Sequence, residues 1–245
     1  PRPPYRRAFV QINNYLFEII RIRRQELEKG RPAQDLLDEL ISAGLDDDLI
    51  RDQLLTMLIA GHDTSTALLS WSLAMIGLHP QIMRQAQTEV HQILGDSPPL
   101  GEMLSQLVVI QQVMQECLRL YPPIHLGSRL AAADLEYDGY LIPKGTRVIY
   151  SIYLTQRHPD YWSDPDRFDP QRWTGSAKPA PYTWLAFGGG PRNCIGSAFG
   201  QVETRLILAR LLQHFDLELV EKGIHPHMGA TLEPRPGVRM RVNKC

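Results

Sequence analysis

The sequence predicts a mainly α-helical protein with small β-sheets, an α+β fold. Apolar residues recur at helical spacing over long stretches, most clearly over 8–29, 49–78 and 195–214. Short apolar runs beside turn residues predict strands, whereas residues 157–186 are rich in proline, aspartate and aromatics without any period, which predicts an irregular packed loop. A composition of 43% hydrophobic and 22% charged residues is typical of a globular protein.

The predicted helices have start or stop signals at their ends. Gly30 and Gly44 end the first two helices, and the acidic residues 46–48 precede the third, where they favour the positive end of the helix dipole. Pro80 suits the first turn of a helix, and Pro122 ends one. The helices are residues 8–29, 35–42, 49–78, the stretch from Pro80 to the Pro98-Pro99 pair, 107–120 and 195–214.

Two of these helices carry patterns that indicate what they face. The helix over 195–214 has an apolar stripe, which predicts a buried face and consists of Phe199, Val202, Leu206, Ala209 and Leu212. The run from Leu54 to Leu78 has the length of a membrane span, but Asp63 alone costs about 2.5–3.5 kcal/mol at a bilayer centre. We therefore expect a helix buried inside protein and no membrane segment in this chain.

Strand signals cluster in the second half of the chain. Leu135–Tyr137 and Tyr140–Ile142 flank an Asp-Gly pair, which predicts a tight hairpin. A further strand is predicted over Arg147–Ile152. The tail predicts strands over Leu217–Val220 and Arg235–Val242.

Charge and cysteine usage exclude some classes of protein. With a net charge of -1, the chain lacks the overall positive charge that is typical of nucleic-acid-binding proteins. An arginine cluster interleaved with glutamates predicts a solvated helix face; it comprises Arg2, Arg6, Arg7, Arg21, Arg23 and Arg24. Three cysteines without paired spacing indicate a reducing compartment or a functional thiol, and Cys117 is predicted to pack as an apolar residue. The chain opens on Pro1 without a signal peptide, and we expect a piece of a longer protein.

The segment FGGGPRNCIG, Phe187–Gly196, places Cys194 among residues with permissive backbones. The free N–H groups of the following helix, together with Arg192, are expected to stabilise a thiolate. A nucleophilic cysteine needs a base, and no histidine lies near in sequence. Zinc needs more ligands, and His225-Pro226-His227 is the only close pair. A single-thiolate metal site, such as that of haem, is the third interpretation.

These ten residues resemble the haem-binding loop of cytochrome P-450, the haem-thiolate monooxygenases. The match covers every fixed position of that loop, namely Phe187, Gly188, Gly190, Arg192, Cys194 and Gly196. The resemblance implies haem b with Cys194 as the axial ligand of the iron, Arg192 beside a propionate, Phe187 beside the sulfur, and dioxygen as co-substrate. Ala186 departs from the pattern, since many members have proline there.

Two further segments strengthen the resemblance. Glu116 and Arg119 lie three apart in a helix that ends at Tyr121-Pro122-Pro123, similar to the family's Glu-x-x-Arg motif. Pro170-Gln171-Arg172-Trp173 is similar to the family's Pro-Glu-Arg-Phe segment. The resemblance implies a buried triad of Glu116, Arg119 and Arg172 that holds the cysteine loop. Without that context, the first two would indicate only a surface ion pair.

The segment Ala60-Gly61-His62-Asp63-Thr64-Ser65 puts a glycine, an acid and hydroxyls in mid-helix, where they are locally unfavourable. A buried helix with satisfied polar groups is one interpretation. The resemblance implies instead a groove for oxygen activation, in which Asp63 and Thr64 relay protons.

The resemblance also assigns the rest of the chain by position. Arg129 matches a site that often meets a haem propionate, and His125 is either a specificity residue or a packing side chain. The implied substrate-pocket residues are Ile59, Ala60, Ile124, His125, Leu126, Met228, Ala230 and Thr231. The implied parts of a single partial domain, with the N-terminal portion of the fold absent, are 1–44 (G and H helices), 45–79 (I helix), 80–123 (J and K helices), 124–156 (β region), 157–194 (irregular meander and thiolate loop) and 195–245 (L helix and C-terminal strands).

The implied function is a monooxygenase that inserts one atom of dioxygen into a small apolar substrate, with electrons from a ferredoxin- or flavin-type redox partner. One alternative is a fragment that holds no haem alone. A second is a haem-thiolate peroxygenase or isomerase, which the intact Asp63-Thr64 pair disfavours, and a third is a cysteine hydrolase. A cytoplasmic location is expected for a soluble bacterial-type member, and an anchor upstream of this chain is the other option.

Overall fold

The computed structural model of the protein describes residues 3–175 and 179–244. The chain divides into two compact units, Pro1–His62 and Asp63–Cys245. The α-helices of the described residues are α1 (Pro3–Glu28), α2 (Leu36–Ser42), α3 (Asp47–Leu78), α4 (Pro80–Leu94), α5 (Gly101–Leu104), α6 (Val108–Leu120), α7 (Ile152–Thr155) and α8 (Ser197–His214), and short 3-10 helices cover Pro170–Trp173 and Gly190–Arg192. Their strands are β1 (Leu126–Leu130), β2 (Leu135–Tyr137), β3 (Tyr140–Ile142), β4 (Arg147–Ser151), β5 (Phe215–Leu219), β6 (His225–Met228), β7 (Leu232–Arg235) and β8 (Met240–Lys244).

The first unit is built on α1, α2 and the beginning of α3. Its small core consists of Ile20, Leu37, Ile41 and Ile50. Asp35 caps α2 and forms a reciprocal capping box with Asp38. The guanidinium of Arg23 lies 2.6 Å from Asp35 and 2.7 Å from Asp38, and it holds the pKa of both carboxyls below their usual range.

The predicted arginine face is therefore only partly solvated. Arg21 pairs with Glu18, and Arg24 pairs with Asp47 at 2.7 Å. Arg6 and Arg7 are exposed, as predicted, and Arg2 lies outside the described residues. Two members of the cluster, Arg23 and Arg24, connect α1 to the beginnings of α2 and α3.

The second unit has a larger core, formed by the later part of α3 with α4, α6 and α8. The most buried side chains of this core include Trp71, Ala74, Val90, Ile110, Cys117, Leu120, Leu208 and Leu212. Cys117 is fully buried, and burial raises the pKa of its thiol. It therefore packs as an apolar residue, as the sequence predicts.

Four two-stranded antiparallel sheets flank this core among the described residues. The predicted hairpin of β2 and β3 is confirmed, with Leu135 opposite Ile142 and positive φ angles at Asp138 and Gly139. β1 pairs with β4, so that Leu126 lies opposite Ser151. In the last part of the chain, β5 pairs with β8 and β6 pairs with β7, so the β6–β7 hairpin lies between the two strands of the β5–β8 pair in sequence.

The structure corrects several predicted bounds. The predicted strand over 235–242 is wrong in its first half, because β7 ends at Arg235 and β8 begins at Met240. Pro236 has no N–H to donate to a ladder, and Gly237 has a φ of 128°, so the chain turns there. The last helix begins at Ser197 rather than Ile195. The sequence did not predict α5, α7, β1 or β6, and it predicted β7 only at its last residue, Arg235.

The predicted apolar stripe of α8 is also only half right. Leu208, Ala209 and Leu212 are buried, but Phe199 is 70% exposed, with Val202 and Leu206 exposed as well. Along the described residues, no helix has the length and apolarity needed to cross a membrane. Cys245 and residues 176–178 lie outside the described part of the chain.

Candidate functional site

The cysteine loop is a compact turn closed by main-chain hydrogen bonds. Cys194 N–H donates to the Phe187 carbonyl at 2.8 Å, and Gly188 N–H donates to the Leu185 carbonyl at 2.8 Å. Gly188 and Gly190 have φ angles of 78° and 69°, in the left-handed region that favours glycine. The loop thus presents Cys194 at its end with an exposed side chain.

The surroundings of Cys194 fit an apolar macrocycle. The neighbouring Ile195 is 95% exposed, and Phe199, at the start of α8, is also uncovered. A side chain built at Gly190 would meet no atom within 4 Å, so the space beside the turn is open. A single soft thiolate ligand next to exposed apolar groups matches the chemistry of haem-iron ligation.

Two arginines were predicted to meet haem propionates. Arg192 is exposed on the cysteine loop and, within the described residues, makes no salt bridge. Arg129 lies on β1, where it donates to the Ser128 carbonyl and its guanidinium lies 5.8 Å from the centre of the Tyr150 ring. Both guanidinium groups are exposed and have no carboxylate to neutralise them among the described residues, so each is accessible to an anionic group.

Glu116 and Arg119 form a fully buried ion pair on α6. Both nitrogens of the guanidinium fork, Nε and Nη2, lie 2.8 Å from the carboxylate oxygens of Glu116. Arg172 joins through its Nε at 3.3 Å, which completes the predicted triad geometrically. The remaining N–H groups of Arg119 donate to three carbonyls, those of Gln156, Pro165 and Arg167. The pair therefore ties the irregular segment to α6.

The sequence interpretation missed two partners of this network. Trp173 Nε1 donates to Glu116 at 3.0 Å, where the family segment has phenylalanine. Gln156, fully buried, connects α6 with the segment before the cysteine loop. The tryptophan in place of phenylalanine was a readable signal, since a buried indole seeks an acceptor. Gln156 has no comparable pattern around it.

A row of aromatic rings runs from this network to the loop. Trp162, Trp173 and Trp184 follow each other with ring centres 5.8 and 5.6 Å apart, and Phe187 lies 5.9 Å beyond Trp184. Arg119 lies 5.1 Å from the centre of the Trp162 ring. The tilted and edge-on geometries are those that aromatic pairs prefer. Phe187 therefore packs against the aromatic row that leads to the buried ion pair.

The beginning of α8, which follows the cysteine loop, lies near α3 beside the predicted proton-relay residues. A Cβ built at Gly200 would lie 3.8 Å from the Ser65 hydroxyl, so the two helices approach each other closely there. Thr64 is half-buried and Asp63 is exposed. Ile59 and Ala60 are exposed residues of α3 in the first unit.

The predicted pocket segments of the second unit are joined by hydrogen bonds. Leu232 N–H donates to the Pro123 carbonyl at 2.9 Å, and Trp71 Nε1 donates to the Leu232 carbonyl at 2.9 Å. These bonds place the β6–β7 turn next to the end of α6. Met228 in that hairpin and Ile124 after α6 are both exposed.

The other pocket residues differ in accessibility. Leu126 and Ala230 are exposed, whereas Thr231 is buried and its hydroxyl donates to Glu233 at 3.1 Å. His125 is half-buried, and its carbonyl accepts from Tyr153 N–H.

The alternative metal site at the C-terminal histidines gains no support from the fold. His225 lies opposite Arg235 and His227 opposite Glu233 across the β6–β7 pair. Across residues 3–175 and 179–244, no group of three or more His, Cys, Asp or Glu side chains is placed to hold a metal ion. A zinc site made by protein ligands alone therefore has no candidate among these residues.

Comparisons with known proteins agree with this geometry. The cytochrome P450 family model matches residues 3–238. The chain is 37% identical to chloroplastic cytochrome P450 97B2 of Glycine max, covering 85% of this chain and 42% of that protein. It is 36% identical to cyclooctat-9-en-7-ol 5-monooxygenase of Streptomyces melanosporofaciens, covering 88% of this chain and 48% of that protein. The haem domain of cytochrome P450DA superposes with a TM-score of 0.90 at 33% identity, covering 98% of this chain and 55% of that one.

The chain belongs to the cytochrome P450 family, whose members use haem with a cysteine thiolate ligand. Its fold is the corresponding part of the P450 fold, mainly helical with small sheets. The chain spans about half the length of the relatives that it matches.

Proposed function

We propose that this chain supplies the thiolate and the cysteine-side wall of a haem-dependent monooxygenase that oxidises a small apolar substrate. The observation that carries the proposal is the cysteine loop, in which an exposed Cys194 follows a left-handed glycine turn and adjoins uncovered apolar side chains. Membership of the P450 family supports the same reaction class. Haem, when bound, supplies the activation of dioxygen, and its electrons come from a partner of the predicted ferredoxin or flavin type. The cytoplasmic location stays a prediction.

The residues of the chain have distinct proposed roles around the haem. Cys194 ligates the iron, and Arg192 and Arg129 neutralise the propionates by charge-assisted hydrogen bonds. Asp63 and Thr64 hold and transfer the protons that oxygen reduction consumes. The exposed apolar groups at Ile124 and the other predicted pocket positions of the second unit exclude water and orient an apolar substrate.

The thiolate assignment is tested by the absorption spectrum of the reduced, carbon-monoxide-treated protein. We expect a strongly red-shifted Soret band from the chain, or from any longer translation product that contains it, after reconstitution with haem. Cys194→Ala should abolish that band, because the iron loses its thiolate. The matched control is Cys117→Ala, which removes a buried thiol of the core and should leave the band in place.

Two results would overturn the proposal. The first is a Cys194→Ala protein that keeps the red-shifted band. The second is failure of both the chain and any longer product to take up haem. If the chain alone takes up no haem and a longer product does, the result favours the inactive-fragment alternative. Haem-free turnover of esters that depends on Cys194 would instead support the hydrolase alternative.

A further inference from the structure

Gln156 is a fully buried polar residue directly after α7. Burying an amide is unfavourable unless its polar atoms find partners. Both donors of Gln156 are used, because its side-chain nitrogen lies 2.9 Å from the carbonyls of Leu118 and Arg119. Its side-chain oxygen accepts from Leu185 N–H at 2.6 Å. The amide therefore connects two separate segments through opposite ends.

The α6 side of this connection is reciprocal. Leu118 and Arg119 lie in the last turn of α6, where carbonyls have no partner within the helix. Gln156 satisfies them, while Arg119 in turn donates from Nη1 to the main-chain carbonyl of Gln156 at 3.0 Å. Gln156 is thus fixed to the same arginine that forms the buried ion pair with Glu116.

The other side of the connection leads to the cysteine loop. The Leu185 carbonyl accepts from Gly188 N–H at 2.8 Å, which forms the first turn of the loop. The carbonyl of Phe187 accepts from Cys194 N–H at 2.8 Å, which closes the loop. Leu185 is therefore the residue on which the loop begins, and its N–H is anchored by the side chain of Gln156.

We propose that Gln156 is a positioning residue for Cys194. It fixes the start of the cysteine loop to the C-terminal turn of α6, so the buried ion pair and the sulfur share one rigid frame. The haem part of this proposal rests on the proposed function, whereas the mechanical part concerns only residues of this chain.

The mechanical part is tested by hydrogen exchange in the haem-free protein. Gln156→Leu keeps most of the side-chain volume but removes the acceptor of Leu185 N–H. We expect the amides of Leu185, Gly188 and Cys194 to exchange roughly tenfold faster, since one lost hydrogen bond changes a local equilibrium by about that factor. Unchanged exchange at these three amides would overturn the proposal.

Gln213 provides a matched control. It is also buried, its side-chain nitrogen donates to the carbonyls of Gly95 and Ser97, and its oxygen accepts from Arg210. Gln213→Leu makes the same chemical change away from the cysteine loop, so it should destabilise the protein without faster exchange at Leu185, Gly188 and Cys194. Equal acceleration in both variants would assign the effect to general destabilisation and overturn the proposal.

The haem part is tested on the haem-loaded protein by the reduced, carbon-monoxide-treated spectrum. Gln156→Leu should convert a fraction of the molecules to a Soret band without thiolate ligation at unchanged haem content, whereas Gln213→Leu should keep the parent band. Faster exchange with an unaltered band would overturn the positioning role. A parent protein that takes up no haem contradicts the proposed function instead, and the exchange experiment then decides alone. Gln156→Asn, which is too short to reach both segments, replaces Gln156→Leu if the latter does not fold.

Discussion

At the scale of single residues, the chain shows how position decides what a thiol does. Cys194 is exposed on a glycine turn, whereas Cys117 is fully buried in α6, and burial raises the pKa of the Cys117 thiol. Because its folded pKa lies above its unfolded value, Cys117 contributes stability that is present below the unfolded pKa and lost as the pH rises. From about pH 7 to about pH 9.5 the free energy of unfolding should fall by about 1.4 kcal/mol through this residue.

This prediction is measured by urea unfolding of the parent and of Cys117→Ala at both pH values. At the lower pH, where thiols are protonated in both the folded and the unfolded state, Cys117→Ala has a lower free energy of unfolding than the parent. This difference between the two proteins should become smaller at the higher pH. A constant gap would show that Cys117 does not titrate on unfolding. The comparison of gaps cancels the contributions of other groups, including Tyr121, whose pKa burial also raises.

At the scale of elements, one indole connects α3 with the β6–β7 hairpin. Trp71 stacks on Tyr121 with ring centres 3.7 Å apart, and its Nε1 donates to the carbonyl of the fully buried Leu232. Trp71→Phe keeps an aromatic ring for stacking but leaves that carbonyl unpaired. We expect a loss of about 1–3 kcal/mol in the free energy of unfolding. We also expect faster hydrogen exchange at Leu232 and at Gly229, whose N–H donates to the Thr231 carbonyl.

The control for Trp71→Phe makes the same substitution elsewhere in the unit. Trp162 is also buried, and its Nε1 donates to the Thr183 carbonyl at 3.3 Å. Trp162→Phe should therefore destabilise the protein without loosening the hairpin. If both variants accelerate exchange equally at Leu232, the indole of Trp71 has no specific role in holding the β6–β7 turn.

At the scale of the whole molecule, the sequence predicted what local physics determines. The β2–β3 hairpin follows from its Asp-Gly turn, and the long helices follow from period and terminal signals. β1 was not predicted, because its partner β4 lies some twenty residues further along the chain and no local sequence pattern indicates that the two strands pair. The same holds within the site. Residues 187–196 predicted the cysteine turn, but the bond from Gln156 to Leu185 spans 29 positions and carries no periodic signal.

The sequence pattern also did not predict correctly which side chains of a helix are buried. The predicted stripe of α8 runs from Phe199 to Leu212, yet the helix buries only its later members, Ala209 and Leu212, and leaves Phe199, Val202 and Leu206 exposed. An apolar stripe indicates that something apolar covers it, and it does not state whether that is the core, a cofactor or another segment. Tertiary packing therefore decided which half of the predicted stripe entered the core.

The buried ion pair is where the separate segments of the second unit converge, and it yields the largest expected effect. Glu116 accepts hydrogen bonds from Arg119, Arg172, Trp173 and the Asp169 main chain. Glu116→Gln keeps the shape but leaves the guanidinium of Arg119 buried without a counter-charge. We expect a loss of about 3–5 kcal/mol in the free energy of unfolding.

Urea unfolding followed by tryptophan fluorescence and by circular dichroism measures this loss. Three tryptophans of the aromatic row lie between Glu116 and the cysteine loop. Fluorescence therefore reports on the packing of this region, and circular dichroism reports on the helices. The control Glu102→Gln alters an exposed acid of α5 and should change stability by less than about 0.5 kcal/mol. Two separated transitions in Glu116→Gln would show that the network connects the irregular segment to an already stable helical core. A single shifted transition is the expected result, because the same arginine joins α6 to that segment and, through Gln156, to the start of the loop that presents Cys194.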